Sequence, residues 1–188
     1  MSALRVWRAG VFAFALCMLA ASLAGRAFAQ SEANPAEYQI KAAYVFKFLN
    51  YVDWPPQSAA DAPLQIGVIG ARAMADELTG IVAKRTVNGR PVTVRRLRPG
   101  DATAELNLLF VARSESARLA DIVAATKDQG TLVVTESAEA PALGSAINFV
   151  VEDDKVRFDV APRAFEKANL KVSARLLTVA RKVLPGSS

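Results

Sequence analysis

The stretch Leu64-Gln65-Ile66-Gly67-Val68-Ile69-Gly70 is a short apolar run that ends in a glycine, and a helical pattern follows it over residues 72–83. An apolar run of this length, closed by a turn residue, predicts a buried strand. The helical pattern behind it makes the pair a strand followed by a helix. The order of strand followed by helix decides the fold class, because the same order recurs further along the chain.

Three more apolar runs predict strands, at residues 92–97, 106–111 and 131–136. Between the last two, Ser114 is placed to cap a helix that ends near Gly130. Strands that alternate with helices predict βαβ units in a mainly parallel sheet, with helices on both faces. The link from Arg98 to Glu105 is short, which weakens the pairing of the strands on either side of it.

The segment before these strands is predicted to be a helix. Asn34 is an N-cap candidate, Pro35 suits the first helical position, and Glu37 is placed to return a hydrogen bond to the cap. The helix runs to about Tyr51, and Asp53-Trp54-Pro55-Pro56 ends it. Its apolar side chains repeat every three to four positions and predict a face that packs on the core. They are Ile40, Tyr44, Val45, Phe48, Leu49 and Val52.

The C-terminal part of the chain predicts two further elements. Residues 146–151 and 156–160 flank the acidic run Glu152-Asp153-Asp154, which favours an antiparallel hairpin with a solvated turn. Residues 172–184 have helical apolar spacing, and Pro185-Gly186 stops the helix. We therefore expect one α/β domain with a mainly parallel sheet flanked by helices, a C-terminal antiparallel hairpin and a terminal helix.

Residues 1–29 have the three parts of a secretory signal peptide. A basic start precedes an apolar run from Ala9 to Ala24, and Ala27-Phe28-Ala29 offers the small residues of a cleavage site. We expect cleavage behind this site and one folded domain over residues 30–188. The single cysteine, Cys17, lacks the small residues that precede a lipidated cysteine. The mature protein is thus expected to act outside the cytoplasm, soluble and without a lipid anchor.

The composition excludes several classes of function. The 188-residue chain has no histidine, and its one cysteine lies in the signal segment. Ser-His-Asp triads, Cys-His pairs and the commonest zinc sites are therefore excluded, and we expect no enzyme activity, no cofactor and no metal. The chain has 23 basic and 18 acidic residues, and three of the basic ones belong to the signal segment. So small an excess of positive charge gives no reason to expect nucleic acid as a partner.

Three features of the mature chain have two interpretations each. Gly67 and Gly70 are typical of a phosphate-binding turn, but the complete glycine spacing is missing, and a glycine at such a junction also serves the turn alone. The arginine-rich segment 90–98 either pairs with acidic groups of a partner or forms a solvated strand edge, and we favour the edge. Trp54 fits a core plug and an exposed interface anchor equally well.

Several stretches together resemble the YfiR family of periplasmic regulators, and they cover nearly the whole mature chain. They are Lys41-Ala42-Ala43-Tyr44 with Tyr51-Val52-Asp53-Trp54-Pro55, Ile66-Gly67-Val68-Ile69-Gly70, Val87-Asn88-Gly89-Arg90-Pro91-Val92, Ile147-Asn148-Phe149 and Leu170-Lys171-Val172-Ser173-Ala174-Arg175-Leu176-Leu177. The order and spacing of these pieces carry the resemblance. The family often has paired glycines before Ile-Asn-Phe and an asparagine after the next strand, whereas this chain has Gly144-Ser145 and Ala161. A contact that depends on those groups is not implied here.

The resemblance implies a regulator that acts by binding. Family members with a known role bind the periplasmic sensor portion of an inner-membrane diguanylate cyclase and lower cyclic di-GMP, and an outer-membrane-associated lipoprotein can sequester them. We expect the same partners here. We place the contact in the C-terminal region, with Phe165, Leu170, Leu176 and Leu177 as anchors and Trp54 as a further contact residue. The helical spacing of the C-terminal residues fits a buried core as well.

Two other functions stay open. The carboxyl ends of the parallel strands near Gly70, Arg72 and Ser114 suit a crevice for a small anion, which makes a periplasmic small-ligand sensor the alternative. An enzyme that uses only hydroxyl, amine or carboxylate groups would draw on residues such as Ser114 or Asp159, but the sequence offers no assembled set. A homodimer is compatible with each of these functions.

Overall fold

The computed structural model describes residues 35–54 and 62–185, and these lie in one compact unit. The predicted signal peptide, its cleavage site and the Asn34 cap lie outside the described residues. Within the described part of the chain, no helix is long and apolar enough to cross a membrane.

Helices and strands alternate through most of the described chain. The helices are α1 (Pro35–Phe48), α2 (Arg72–Val82), α3 (Leu119–Ala125), α4 (Pro162–Lys167) and α5 (Ala174–Val179), and a 3₁₀ helix (Arg113–Arg118) leads directly into α3. The strands are β1 (Val52–Asp53), β2 (Leu64–Ile69), β3 (Thr86–Val87), β4 (Arg90–Leu97), β5 (Leu108–Val111), β6 (Leu132–Thr135), β7 (Ile147–Glu152), β8 (Lys155–Val160), β9 (Lys171–Val172) and β10 (Lys182–Val183). The strand and helix predicted from residue 64 onward are therefore β2 and α2.

The main sheet has eight strands in the order β10-β8-β7-β6-β5-β2-β4-β3. The strands β7, β6, β5, β2 and β4 run parallel, while β8, β10 and β3 run the other way. This confirms the predicted α/β class with its mainly parallel sheet. The short link after Arg98 is also where pairing departs from chain order, because β5 lies beside β2 and not beside β4.

Helices cover both faces at the centre of this sheet. Along β5, Leu108 and Phe110 join the core cluster that includes α1 and α2, whereas Leu109 and Val111 join the cluster that includes α3. This alternation follows from the two-residue period of a strand. Because β5 is buried on both sides, its sequence is an unbroken apolar run.

β7 and β8 form the predicted antiparallel hairpin, in which Phe149 lies opposite Phe158. Its turn is Asp153-Asp154, and these residues have φ angles of +50° and +56°. Two-residue turns with positive φ match the twist of the flanking strands, and aspartate tolerates this left-handed region. The acidic run predicted as a turn is therefore a turn.

The predicted core face of the first helical segment is buried at Val45, Phe48, Leu49 and Val52, and it differs from the prediction toward the start of α1. Ile40 is 47% exposed and Tyr44 is half-buried, whereas Lys41 and Tyr38 are buried. The helix is turned so that a lysine, and not the predicted isoleucine, points inward. The reason is electrostatic, because the buried carboxylate of Glu136, just past the end of β6, pairs with the Lys41 ammonium.

The terminal helix predicted over residues 172–184 is shorter than expected. Helix α5 ends at Val179, and the residues on either side form the short strands β9 and β10. β9 pairs with β1 in a separate two-stranded sheet, and β10 pairs with β8 at the edge of the main sheet. The helix ends early because the backbone N–H of Arg181 donates to the carbonyl of Phe158 (2.8 Å) and so enters the sheet.

Candidate functional site

Three of the five residues predicted to contact a partner lie in the core. Phe165 is 1% exposed, Leu170 4% and Leu176 0%, and all three belong to the same cluster as α1 and α2. A buried side chain offers no surface to a partner, so the helical spacing of these residues reflects core packing. Through these core contacts the three side chains hold the C-terminal elements in place.

Trp54 and Leu177 are partly buried against the core and retain exposed surface. The indole Nε1 of Trp54 is inaccessible to water and has no hydrogen-bond acceptor among the described residues. Leaving a buried donor unpaired costs about 1–3 kcal/mol. Because this nitrogen is inaccessible from outside, a partner would contact the exposed part of the ring, and tryptophan is frequent at the energetic centres of interfaces.

The position of Trp54 follows from the antiparallel ribbon of β1 and β9. Val52 pairs with Val172, and the N–H of Ser173 donates to the carbonyl of Tyr51 (2.8 Å). The ribbon joins the end of α1 to the start of α5, although these segments are far apart in the sequence. We call β1, Trp54, β9 and α5 together the C-terminal surface.

The C-terminal surface carries apolar and basic side chains. Val179, at the end of α5, is 62% exposed, and Leu177 on the same helix is partly buried. Lys171 and Arg175 are exposed on β9 and α5. Apolar residues with a polar rim are the usual composition of a protein interface, and the positive rim would favour an acidic partner.

Arg181 fastens the end of this surface to the main sheet. Its guanidinium donates to both carboxylate oxygens of Asp159 (2.8 and 2.6 Å) and to Glu152 (3.0 Å). The hydrogen bond to Asp159 is the main reason that the pKa of Arg181 is raised. A two-pronged pair of this kind fixes geometry as well as charge, so the chain after α5 is held against β8.

A buried charged network, which the sequence analysis did not predict, joins α1 to the carboxyl ends of β5 and β6. The Lys41 ammonium pairs with the carboxylates of Glu37 and Glu136. Glu136 also accepts hydrogen bonds from the Tyr38 hydroxyl (3.3 Å) and the Arg113 backbone N–H (2.9 Å). Burial raises the pKa of Tyr38 above its usual range, and the charge of Glu136 raises it further. Glu37 Oε1 has the ion pair with Lys41 but no hydrogen bond among the described residues, and the other groups of this network satisfy one another. The network thus packs α1 on the sheet.

The crevice predicted near Gly70 is filled by protein. The Ser114 hydroxyl donates to the Gly70 carbonyl (3.0 Å). A Cβ added at Gly70 would lie 2.6 Å from Ser114 Oγ and 2.7 Å from Glu115 Cγ. Gly67 is equally crowded, since a Cβ there would lie 2.7 Å from Leu106 Cδ1. Both glycines therefore allow close packing, and this end of the sheet does not support the predicted anion crevice.

The residues considered for an enzyme are occupied in other roles. Ser114 bonds to a backbone carbonyl, and Asp159 is held by Arg181. In residues 35–54 and 62–185, no group of three or more Asp, Glu, Cys or His side chains is placed to hold a metal ion.

One departure from the expected family pattern, Ala161, lines a pocket, and the other, Ser145, directly follows a residue of the pocket wall. Gly144 and Ala161 both line a cavity of about 330 Å³ together with Arg163, Lys167 and Leu184. Apolar walls with two basic side chains suit a small carboxylate. Composition alone gave no indication of this pocket, because its walls come from the β6–β7 loop, α4 and the end of the chain.

Comparisons with known proteins place the chain in a family. Residues 38–181 match the family model described as YfiR/HmsC-like. Nine chains of solved structures match as well, among them a conserved domain protein from Vibrio cholerae O1 biovar eltor, with 10% sequence identity and a TM-score of 0.54. That match covers 78% of this chain and 60% of the Vibrio chain, so this chain spans less than two thirds of the Vibrio chain's length. At this identity the likeness shows the fold alone. No curated protein matches.

Proposed function

Because the chain belongs to the YfiR/HmsC-like family, we propose that it is a periplasmic regulator that represses an inner-membrane diguanylate cyclase by binding the cyclase's periplasmic sensor domain. The family implies regulation of cyclic di-GMP signalling in the periplasm. The signal peptide predicted over residues 1–29 supports export to that compartment. An outer-membrane-associated lipoprotein that sequesters the regulator is the second proposed partner.

The observation that carries the choice of contact site is the 62% exposure of Val179, together with the partly exposed side chains of Leu177 and Trp54. Exposed apolar side chains with a polar rim are typical of protein interfaces. On the C-terminal surface, the exposed part of the Trp54 ring, Leu177 and Val179 would supply apolar contact to the sensor domain. Phe165, Leu170 and Leu176 take part only by supporting that surface.

Repression requires no covalent chemistry. The regulator would bind the inactive arrangement of the sensor domain more tightly than the active one, and the cyclase population would shift accordingly. The shift is limited by the ratio of the two affinities, so a regulator with equal affinity for both arrangements would have no effect.

The test is crosslinking of the tagged protein in intact cells, followed by mass spectrometry of the captured partners. We compare the natural chain with Trp54→Ala, which removes the ring, and with Leu177→Asp. Val151→Asp is the control, because Val151 is also partly exposed but lies on the hairpin. We expect capture of an inner-membrane protein with a cyclase domain, lost in both C-terminal-surface variants and kept in the control.

Two results would count against this proposal in different ways. Equal capture by all four chains would place the contact elsewhere on the molecule. Repeated failure of the folded natural chain to capture an inner-membrane signalling protein would contradict the regulatory function itself.

The pocket of about 330 Å³ lined by Arg163 and Lys167 favours a small-ligand sensor as the second candidate. Ligand binding stabilises the folded state, so a thermal-shift series with small carboxylates tests it directly. A shift that is present in the natural chain and absent in Lys167→Glu would support this function. An unchanged melting temperature across the series would remove it.

A further inference from the structure

The net positive charge of the described chain is confined to one segment. Between Arg72 and Arg98 there are seven basic and two acidic residues, whereas the rest of the described chain has thirteen basic and fourteen acidic ones. Such segregation is not expected if charge serves only solubility, for which mixed signs suffice.

The fold places these basic residues along one edge of the main sheet. β3 pairs with β4 only at Arg90 and Pro91, so the rest of β4 is an open edge. We call the following residues the basic edge: Lys84, Arg85, Arg90, Arg95, Arg96 and Arg98. All of them are exposed except Arg90, which is half-buried.

Most of this charge is not neutralised by the protein. Asp76 pairs with both Arg96 and Arg72, so one carboxylate is shared by two guanidinium groups. No ion pair joins Lys84, Arg85, Arg95 or Arg98 to a carboxylate among the described residues. Arg95 reaches only the neutral amide of Gln65 (3.4 Å), and Arg85 lies over the ring of Phe46.

The basic edge lacks the apolar centre of a protein interface. Stable interfaces bury aromatic or aliphatic anchors in their middle. The large apolar side chains that are exposed in the described chain all lie elsewhere. They are Ile40, Leu143, Val151, Val179 and Val183. Between the basic residues of the edge the exposed side chains are small or polar, such as Thr86 and Thr93.

We propose that the basic edge binds the anionic phospholipid headgroups of a membrane surface. A bilayer presents many phosphates over a wide area and needs no shape complementarity, and arginine binds phosphate with two parallel hydrogen bonds. Each basic residue near an anionic surface strengthens binding by roughly fivefold. The basic edge and β10 lie at opposite ends of the sheet, so the chain after α5 stays clear of the membrane.

The test is flotation with lipid vesicles, using the chain that begins at Gln30, which retains every residue of both core clusters. Vesicles of phosphatidylcholine with about 30% phosphatidylglycerol are compared with phosphatidylcholine alone. We expect binding only to the anionic vesicles, with loss as salt rises from about 0.05 to 0.5 M. Arg95→Glu/Arg98→Glu should weaken it by roughly tenfold or more.

The matched control is Lys155→Glu/Arg157→Glu, which makes the same change in net charge at two exposed basic residues of β8, on the hairpin and away from the edge. It should bind anionic vesicles within about twofold of the natural chain, apart from a small long-range effect. Equal binding by both double variants, or no preference for phosphatidylglycerol, would overturn the proposal. Binding to polyglutamate but not to vesicles, lost in the edge variant, would instead assign the edge to an acidic protein. None of these vesicle or polyglutamate results tests the crosslinking partner of the C-terminal surface, so the two proposals can fail independently.

Discussion

At the scale of single residues, the least expected feature is a fully buried lysine in the first helix. Lys41 lies on the helical face of Tyr38 and Val45, a position where apolar periodicity predicts a hydrophobic side chain. Two carboxylates from different segments, Glu37 and Glu136, make its burial tolerable. Apolar spacing indicates which face of a helix packs on the core. It does not show that the carboxylate of Glu136 lies against that face and pairs with Lys41.

We expect Lys41→Met to destabilise the domain by about 3–5 kcal/mol, because it leaves the buried carboxylate of Glu136 without its cation. Urea unfolding followed by circular dichroism measures the change. Lys47→Met on the exposed side of the same helix is the control and should stay within about 0.5 kcal/mol of the natural chain. A similar small effect for both substitutions would mean that Glu136 does not depend on the lysine.

Tyr38 makes the stability depend on alkaline pH. Its pKa is raised in the folded state by burial and by Glu136, so the folded protein holds its proton where the unfolded chain releases it. Its contribution is therefore complete below the ordinary tyrosine pKa of about 10 and declines as the pH rises above that value. We expect the free energy of unfolding to fall more steeply above about pH 10 in the natural chain than in Tyr38→Phe. Parallel pH curves for the two chains would contradict this.

At the scale of elements, β2 and α2 were predictable because each has one strong local signal. The apolar run of β2 and the helical spacing of α2 survive in the fold with nearly the predicted bounds. The C-terminal surface was not predictable, because β9 and β10 contain two residues each and exist only through their partners β1 and β8. Of the five proposed contact residues, three proved to be core, since apolar helical spacing is the same for a core face and for a binding face.

Two glycines in adjacent elements should respond to alanine in opposite ways. In β2, Gly67→Ala would place a Cβ 2.7 Å from Leu106 and 2.9 Å from Leu97, so we expect a loss of about 1–3 kcal/mol from overpacking. In α2, a Cβ at Gly80 meets nothing within 4 Å, and Gly80→Ala should stabilise the domain by about 0.5–1 kcal/mol. Thermal unfolding of the two variants measures both effects. Equal shifts of the melting temperature in the two variants would mean that the side chains around Gly67 rearrange to accommodate the added methyl group.

Arg181 governs whether the last strand stays on the sheet. Removing its side chain in Arg181→Ala leaves the mostly buried Asp159 without its two donors, which costs about 1–3 kcal/mol. We expect faster hydrogen exchange at the amides of Arg181 and Leu184, which bond to β8. Arg175→Ala on α5, whose guanidinium is exposed, should leave these amides protected. Unchanged protection in both variants would show that β10 is held by its backbone alone.

At the scale of the whole molecule, the alternation of strands and helices was sufficient to predict an α/β domain with a mainly parallel sheet. It was not sufficient to predict the strand order, because the helix-free link after β4 carries the chain to the other side of β2. The arginine-rich segment 90–98 was predicted to form a solvated strand edge, but its place near the end of the whole sheet follows only once β4 is placed next to last.

The ribbon of β1 and β9 has a consequence for the timing of folding. It pairs Val52 with Val172, so it closes a loop of about 120 residues. Synthesis delivers the chain from its N-terminus, and α1 must therefore wait for the last segment to arrive before its end is fixed. Contacts so distant in sequence form slowly. The end of α1 is therefore among the last parts of the domain to be fixed, and under the export that we propose it would be fixed only on the far side of the membrane.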